Sequence, residues 1–299
     1  MRKLLLLLLV AALAAVAAGC GGDDEEGAPA TGETATEATD ACAKENLETK
    51  APGRLTIGTD NPAFPPWFEI SDSAPDPWEL GDPTNGQGFE SAVAYAVADE
   101  LGFSEDEVDW MVVPFDQSFR PGPKDFDFDI NQISFSEERA QAVDFSDSYY
   151  DVNQALVALE GNKIADATTI EELKGAKLGA PVGTTSFQYI DENIQPDQQP
   201  SVYNTLNDAI SAVKAKQIDG VVVDLPTAFF ITAAQLENST IVGQFPTVGE
   251  QEHFAMAFEK GSPLVDCVNA ALARLKDSGR HAEIQQEWLS DKADAPVLE

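Results

Sequence analysis

The sequence predicts an α/β fold of two lobes with a cleft between them. Strand-like and helix-like stretches alternate along the chain, the alternation runs twice, and extended segments join the two runs. Such alternation implies largely parallel sheets, because a parallel neighbour needs a crossover that a helix can supply. At 299 residues and 43% hydrophobic, the chain can bury one large core or two smaller ones.

The first run opens with "GRLTIGTD" (53–60), a buried strand. "FESAVAYAVADELG" (89–102) sets Phe89, Ala92, Val93, Ala96, Val97 and Leu101 on one helical face, with Gly102 as the stop. "VDWMVVPF" and "FDFDINQIS" are the next strands, and "QALVALE" beyond Tyr150 is a further extended run. The pattern restarts after residue 160. "TTIEELKG" carries a capping box from Thr169 to Glu172, strand "KLGAPV" leads into the turn and helix "GTTSFQYI", and "TLNDAISAVKAKQ" is amphipathic. "DGVVVD" is a short apolar strand, followed by a helix that Pro226 opens. "EHFAMAFEKGSP" reads as strand and turn, and a helical pair closes the chain, with Leu264, Val268, Leu272 and Leu275, then Ile284 and Trp288.

The N-terminus lies outside this pattern. Arg2 and Lys3 precede an apolar run from Leu4 to Ala18, too short to span a bilayer, so 1–19 reads as a signal peptide. "VAAGC" resembles a bacterial lipobox, in which Cys20 takes lipid and becomes the mature first residue. Residues 20–52 lack apolar periodicity and form a lipid-anchored flexible tether. With Cys20 lipidated, Cys42 and Cys267 remain of the three cysteines, and export favours a disulfide between them. A formal net charge of −34 argues against nucleic acid as a partner. There is no His/Cys cluster with metal-ligand spacing, so neither a metal nor any other cofactor is expected.

Four places carry candidate chemistry. In "ISFSEERAQAVDFSDSYY" (133–150), Ser134 and Ser136 stand at an apparent strand-to-helix junction with Arg139 one turn on, in a chain of only 18 Lys plus Arg against 52 Asp plus Glu. A helix start with hydroxyls and a guanidinium fork suits a carboxylate. Alternatively, Ser134 and Glu137 merely cap that helix while Arg139 pairs with Glu138 or Asp144. Gly183, Thr184 and Thr185 make a second anion-friendly turn, or a plain cap. Asp224 ends a strand where an α/β sheet binds ligands, or caps the next helix. Asp60 ends the first strand, and Phe64 and Phe115, each beside proline, are either core or flat walls of a site. Together, a cation and two N–H nests, an acid and aromatic walls suit a small zwitterion.

The order of these motifs resembles the bacterial extracellular solute-binding proteins of the polar amino-acid family, which serve ATP-binding-cassette importers. "IGTD…FPPW", "GFESAVAYAVADELG", "ISFSEERAQAVDFSDSYY", "LKGAKLGAPVGTTSFQYI" and "QIDGVVVDLPTA" fall in family order from about Leu55 to Trp288. The resemblance implies a two-lobed, periplasmic-binding-protein-like (type II) fold with two hinge strands, near Asn153 to Val157 and Glu252 to Ala257. Lobe 1 would comprise 53–153 and 252–299, and lobe 2 residues 154–251. Arg139 would clamp a ligand α-carboxylate with backbone N–H groups at Ser134 and Thr185, and Thr184 would belong to the same turn. Asp224 would receive the α-ammonium, Phe64 and Phe115 would sandwich the ligand, and Asp60 would read its side chain. Asn131 and Gln132 stand where the family usually has small residues, making the pocket floor bulkier or more polar, and Asp129 interrupts a normally apolar strand. The implied partners are an amino-acid ligand, permease subunits and, through Cys20, the outer face of the cell membrane, with the protein itself a monomer.

The rival is an enzyme on the same scaffold, dehydratase-like or a carboxylate-based hydrolase, because fold does not fix function. Against it, only His253 and His281 are present, the latter expected at the surface, and no nucleophile sits in a G-x-S-x-G setting.

Overall fold

The computed structural model describes residues 41–289 and 295–299. The expected signal peptide, Cys20 and the tether through residue 40 lie outside the described residues.

Two five-stranded sheets organise the chain. The first has the order β2-β1-β3-β12-β4, built from β1 (Leu55–Thr59), β2 (Val108–Val112), β3 (Phe128–Asp129), β4 (Val143–Phe145) and, from late in the chain, β12 (Ala257–Glu259). The second has the order β10-β6-β9-β7-β8, from β6 (Gln154–Leu159), β7 (Leu178–Pro181), β8 (Ser201–Tyr203), β9 (Gly220–Asp224) and β10 (Ser239–Gln244). A ribbon of β5 (Tyr150–Asp151) and β11 (His253–Phe254), paired antiparallel, lies where the chain crosses between them. Both sheets are mixed. β1 pairs parallel with β2 and β3, and β7 with β8 and β9, but β6, β10 and β12 run antiparallel to their neighbours. The reason is that β6 and β12 each enter straight from a crossing, with no helix to return the chain to the same end.

Helix α1 (Phe89–Glu100) packs its apolar residues into the first core, where Phe89, Val93 and Val97 have no exposure. A short α2 (Phe115–Ser118) follows β2. In the second unit α3 (Thr185–Tyr189), α4 (Leu206–Lys214) and α5 (Leu225–Phe230) each follow a strand. The final pair, α6 (Val265–Asp277) and α7 (Arg280–Leu289), returns to the first core through Val268, Leu272, Leu275 and Ile284. Strand β6 shows why the second unit holds together: Ala155 and Val157 enter one apolar cluster, while Leu156 and Ala158 enter the other. A strand buried on both faces reads as a continuous apolar run, and "QALVAL" is one.

Cys42 and Cys267 form a disulfide, Cα to Cα 5.4 Å, across 225 residues of sequence. It ties the chain ahead of β1 to the first turns of α6. The segment 295–299 departs from the expected boundary of lobe 1. Leu298 is buried in the core of the second sheet, Val297 bridges Gln244, and the Glu299 N–H donates to Thr168 O at 2.9 Å. His281 is also not at the surface: it is buried, its Nε2 is 2.7 Å from Tyr149 O, and its ring meets the edge of Phe89.

Candidate functional site

One cavity of about 600 Å³ opens between the sheets, at the carboxyl ends of β1, β7 and β9. Asp60, Phe64, Phe115, Gln132, Ser134, Arg139, Thr184, Thr185 and Asp224 all line it. The structure thus gathers every residue expected at the site, from segments up to 164 positions apart (60 to 224), into one place.

The segment carrying Arg139 is not a helix start. Ser134 instead bridges Phe254, with Phe135 N–H donating to His253 O and Ala255 N–H to Ile133 O, both at 3.0 Å. That bond pattern points the Ser134 N–H away from the partner strand. Only a single 3₁₀ turn, Arg139–Gln141, follows. Nor does Ser134 cap it: its hydroxyl donates to Glu252 Oε1 at 2.7 Å and lies 3.3 Å from Thr185 Oγ1. The alternative surface pairing of Arg139 with Glu138 or Asp144 is not formed either: Arg139 makes no ion pair among the described residues, and Asp144 is held by Lys260 at 2.6 Å. The Arg139 guanidinium lies over Phe119 at 4.3 Å and Phe115 at 5.6 Å. It donates to Ser134 O at 2.6 Å and, from the other unit, Gly183 O at 2.7 Å. Burial lowers its pKa to about 10, so it remains charged at neutral pH. Of the five N–H donors of a guanidinium, two are thereby engaged and three have no acceptor among the described residues.

On the facing wall, Gly183 adopts φ +75°, which lets the chain turn sharply into α3, and Thr184 caps that helix by accepting from Phe187 N–H at 3.1 Å. Thr185 is the first residue of α3, where backbone donors have no partner within the helix. Asp224 caps α5, its Oδ1 accepting from Thr227 N–H at 2.9 Å, and it also lines the cavity. Burial pushes its pKa up to about 6. Asp60 accepts from Asn61 N–H at 2.7 Å, and burial raises its pKa as well. Neither Asp60 nor Asp224 forms an ion pair among the described residues.

Residues that sequence reading missed complete the site. Gln154 donates to both oxygens of Glu252 at 3.1 Å and accepts from the Ser186 hydroxyl at 2.7 Å, so Ser134, Glu252, Gln154 and Ser186 form one chain of bonds across the crossing. Trp67 donates from Nε1 to Thr227 Oγ1 at 3.0 Å, a buried bond between the two units. Asp129, in β3, is fully buried with no close hydrogen-bond partner for its oxygens among the described residues beyond the neighbouring Ser118 hydroxyl, and burial raises its pKa well above the usual range. Gly58 makes room for it, since a Cβ there would lie 2.5 Å from Asp129 Oδ2.

Glu90, also fully buried, has its pKa pushed up to about 7 by burial. Its folded value exceeds the ordinary 4.5, so between these limits the folded state keeps a proton that the unfolded state has lost. Glu90 therefore subtracts stability as pH rises through that window, by at most about 3 kcal/mol. His281, lowered by burial, acts in the opposite sense. The comparison that isolates Glu90 is wild type against Glu90→Gln by thermal melting. Relative to the variant, wild type is expected to be more stable at about pH 5 than at about pH 8. A pH-independent difference would contradict that assignment.

The model for bacterial extracellular solute-binding proteins, family 3, matches residues 55–291. The chain belongs to this family. Among family relatives, the ABC transporter glutamine-binding protein GlnH of Bacillus subtilis is 29% identical over 71% of this chain and 77% of its own length. An L-arginine-binding protein of Pseudomonas aeruginosa is 29% identical over 72% and 84%. A solved ancestral arginine-binding protein bound to glutamine superposes with a TM-score of 0.64 at 28% identity, covering 80% of this chain and 98% of that one. The type II solute-binding fold follows from this likeness and from the mixed two-sheet architecture.

Proposed function

We propose that the protein captures a small polar amino acid outside the cytoplasm and delivers it to the permease subunits of an ABC importer. The observation that carries this reading is the charge arrangement of the cavity. A guanidinium anchored to both units keeps unused donors, and an acid without a cationic partner stands on the facing wall. Arg139, with the N–H groups of Ser134 and Thr185, holds the ligand carboxylate, and Asp224 takes the ammonium. Phe64 and Phe115 flank the ligand, Thr184 shapes the turn beneath its carboxylate, and Asp60 and Gln132 meet its side-chain or ammonium end. The relatives' names, for glutamine, arginine, cystine and histidine binding, support an amino acid and ligand binding rather than catalysis. The lobes that close on the ligand are 53–153 with 252–289, and 154–251 with 295–299, turning about the β5–β11 ribbon.

A thermal-shift panel of the twenty amino acids, polyamines and dicarboxylates tests the reading. At least one L-amino acid is expected to raise the melting midpoint, and a response confined to dicarboxylates or polyamines would refute it. The monomeric protein is anchored by lipid at Cys20 to the outer face of the cell membrane, or to the periplasmic side where an outer membrane exists. Cys20→Ala is accordingly expected to move it from the membrane to the soluble fraction, and unchanged partitioning would remove the anchor.

A further inference from the structure

Behind Gln132, a lining residue of the cavity, lies a carboxylate to which the reading above gives no part. Glu90 is the second residue of α1, and no cation among the described residues pairs with it. Its carboxylate accepts from the Gln132 backbone N–H at 2.7 Å, from the Gln132 side-chain Nε2, and from the Tyr149 hydroxyl. Three donors and a helix N-terminus account for an acid in an otherwise apolar stretch.

The arrangement constrains Gln132 more than it does Glu90. Gln132 has φ +46°, in the left-handed region that side chains other than glycine and asparagine rarely adopt. Both of its nitrogen donors turn toward one carboxylate. A carboxamide whose nitrogen is fixed has its oxygen fixed too. Gln132 borders the cavity, and no group among the described residues donates to its Oε1. That oxygen is left as an acceptor without a partner among the described residues, on a residue that lines the cavity. Asp224, on the facing wall, lines the same cavity as Gln132.

We infer that Glu90 is a positioning residue for ligand selection. It holds the Gln132 carboxamide with its carbonyl oxygen turned into the cavity, where that oxygen accepts a hydrogen bond from the ammonium of the amino acid. The inference rests on the amino-acid reading above. A small residue at position 132 could not present this acceptor, and a Gln without Glu90 behind it could turn either end to the ligand.

The test compares an amino acid with its α-deaminated analogue, which keeps carboxylate and side chain but lacks the ammonium. The probes are L-arginine and L-glutamine, plus whichever other L-amino acid shifts the melting midpoint most, each titrated calorimetrically at about pH 8, where Glu90 is ionised. In Glu90→Gln the introduced amide nitrogen can donate but not accept, so Gln132 turns over and offers N–H to the ammonium. Affinity for the amino acid is expected to fall about ten- to hundredfold, the size of a hydrogen bond to a charged group, while that for the analogue changes less than about threefold. Gln132→Gly removes the amide yet suits the positive φ, so it keeps the question open to measurement if Glu90→Gln does not fold. The same selective loss is expected. The double variant Glu90→Gln/Gln132→Glu restores an acceptor facing the cavity and is expected to recover the preference. Equal losses for amino acid and analogue in Gln132→Gly, or an unchanged preference, would show Glu90 and Gln132 to be structural only and overturn the inference while leaving the amino-acid reading intact. Failure of the wild type to bind any amino acid would overturn both.

Discussion

Arg139→Lys is expected to weaken amino-acid binding by about a hundredfold or more, roughly 3 kcal/mol, although the positive charge is kept. Arg139 bonds two carbonyl oxygens, Ser134 O and Gly183 O, that belong to different units, and still has donors left for a ligand. Its plane also rests on Phe119. An ammonium has three donors on one atom and no plane, so it cannot span both carbonyls, lie on the ring and grip a carboxylate by two parallel bonds. The loss has two sources, a poorer carboxylate clamp and a weaker join between the units. Calorimetric titration measures the total, and the melting midpoint of the unliganded variant checks that the fold survives. Equal affinity in wild type and variant would make Arg139 a tie between the units and nothing more.

Asp224→Asn is expected to lower affinity by about 2–4 kcal/mol with little cost to folding. Asn is as good a helix cap as Asp, so the bond to Thr227 N–H that opens α5 can persist. What disappears is the charge that faces the ammonium. The carboxyl has its pKa pushed up to about 6 before ligand arrives, so a proton competes with the ligand for it at low pH. The sign follows: wild-type affinity declines as pH falls through about 6, because the protonated carboxyl cannot pair with an ammonium. The variant has no such carboxyl and is expected to lack that step. Titrations at about pH 5 and about pH 7.5 for both proteins decide it, and identical pH dependence would assign the step elsewhere.

Local pattern was enough to find α1 and α4, because each has an apolar stripe, and Gly102 marks the end of the first. It was also enough to nominate the lining of the cavity, since residues at strand carboxyl ends converge whenever two α/β units face each other. It failed where distant contacts outweigh local preference. "ISFSEER" has the grammar of a helix cap, yet Ser134 is drawn to Phe254 and Glu252 and Arg139 to Gly183, and a helix would break those bonds. Nothing near His281 announces that Tyr149 O waits for its ring. The tail at 295–299 carries too few residues to show periodicity, and its place depends on the open edge of β10. Glu90 left one legible trace, an acid directly beside Phe89 at the start of an apolar helical stripe. Its partner Gln132 stands 42 positions away, a spacing that no local rule connects.

The account stands most directly on the pairing of Arg139 and Asp224 with the two ends of an amino acid. Calorimetric titration of the wild type with the L-amino acid that gives the largest thermal shift, and with its N-acetyl and α-amide derivatives, tests that pairing. Each derivative removes one charge and would leave one buried partner unpaired, a cost of roughly 2–5 kcal/mol. The account predicts that the free amino acid binds and that both derivatives bind tens- to thousands-fold more weakly. Comparable binding of either derivative, or tight binding of a dicarboxylate or sugar with no response to any amino acid, would contradict it.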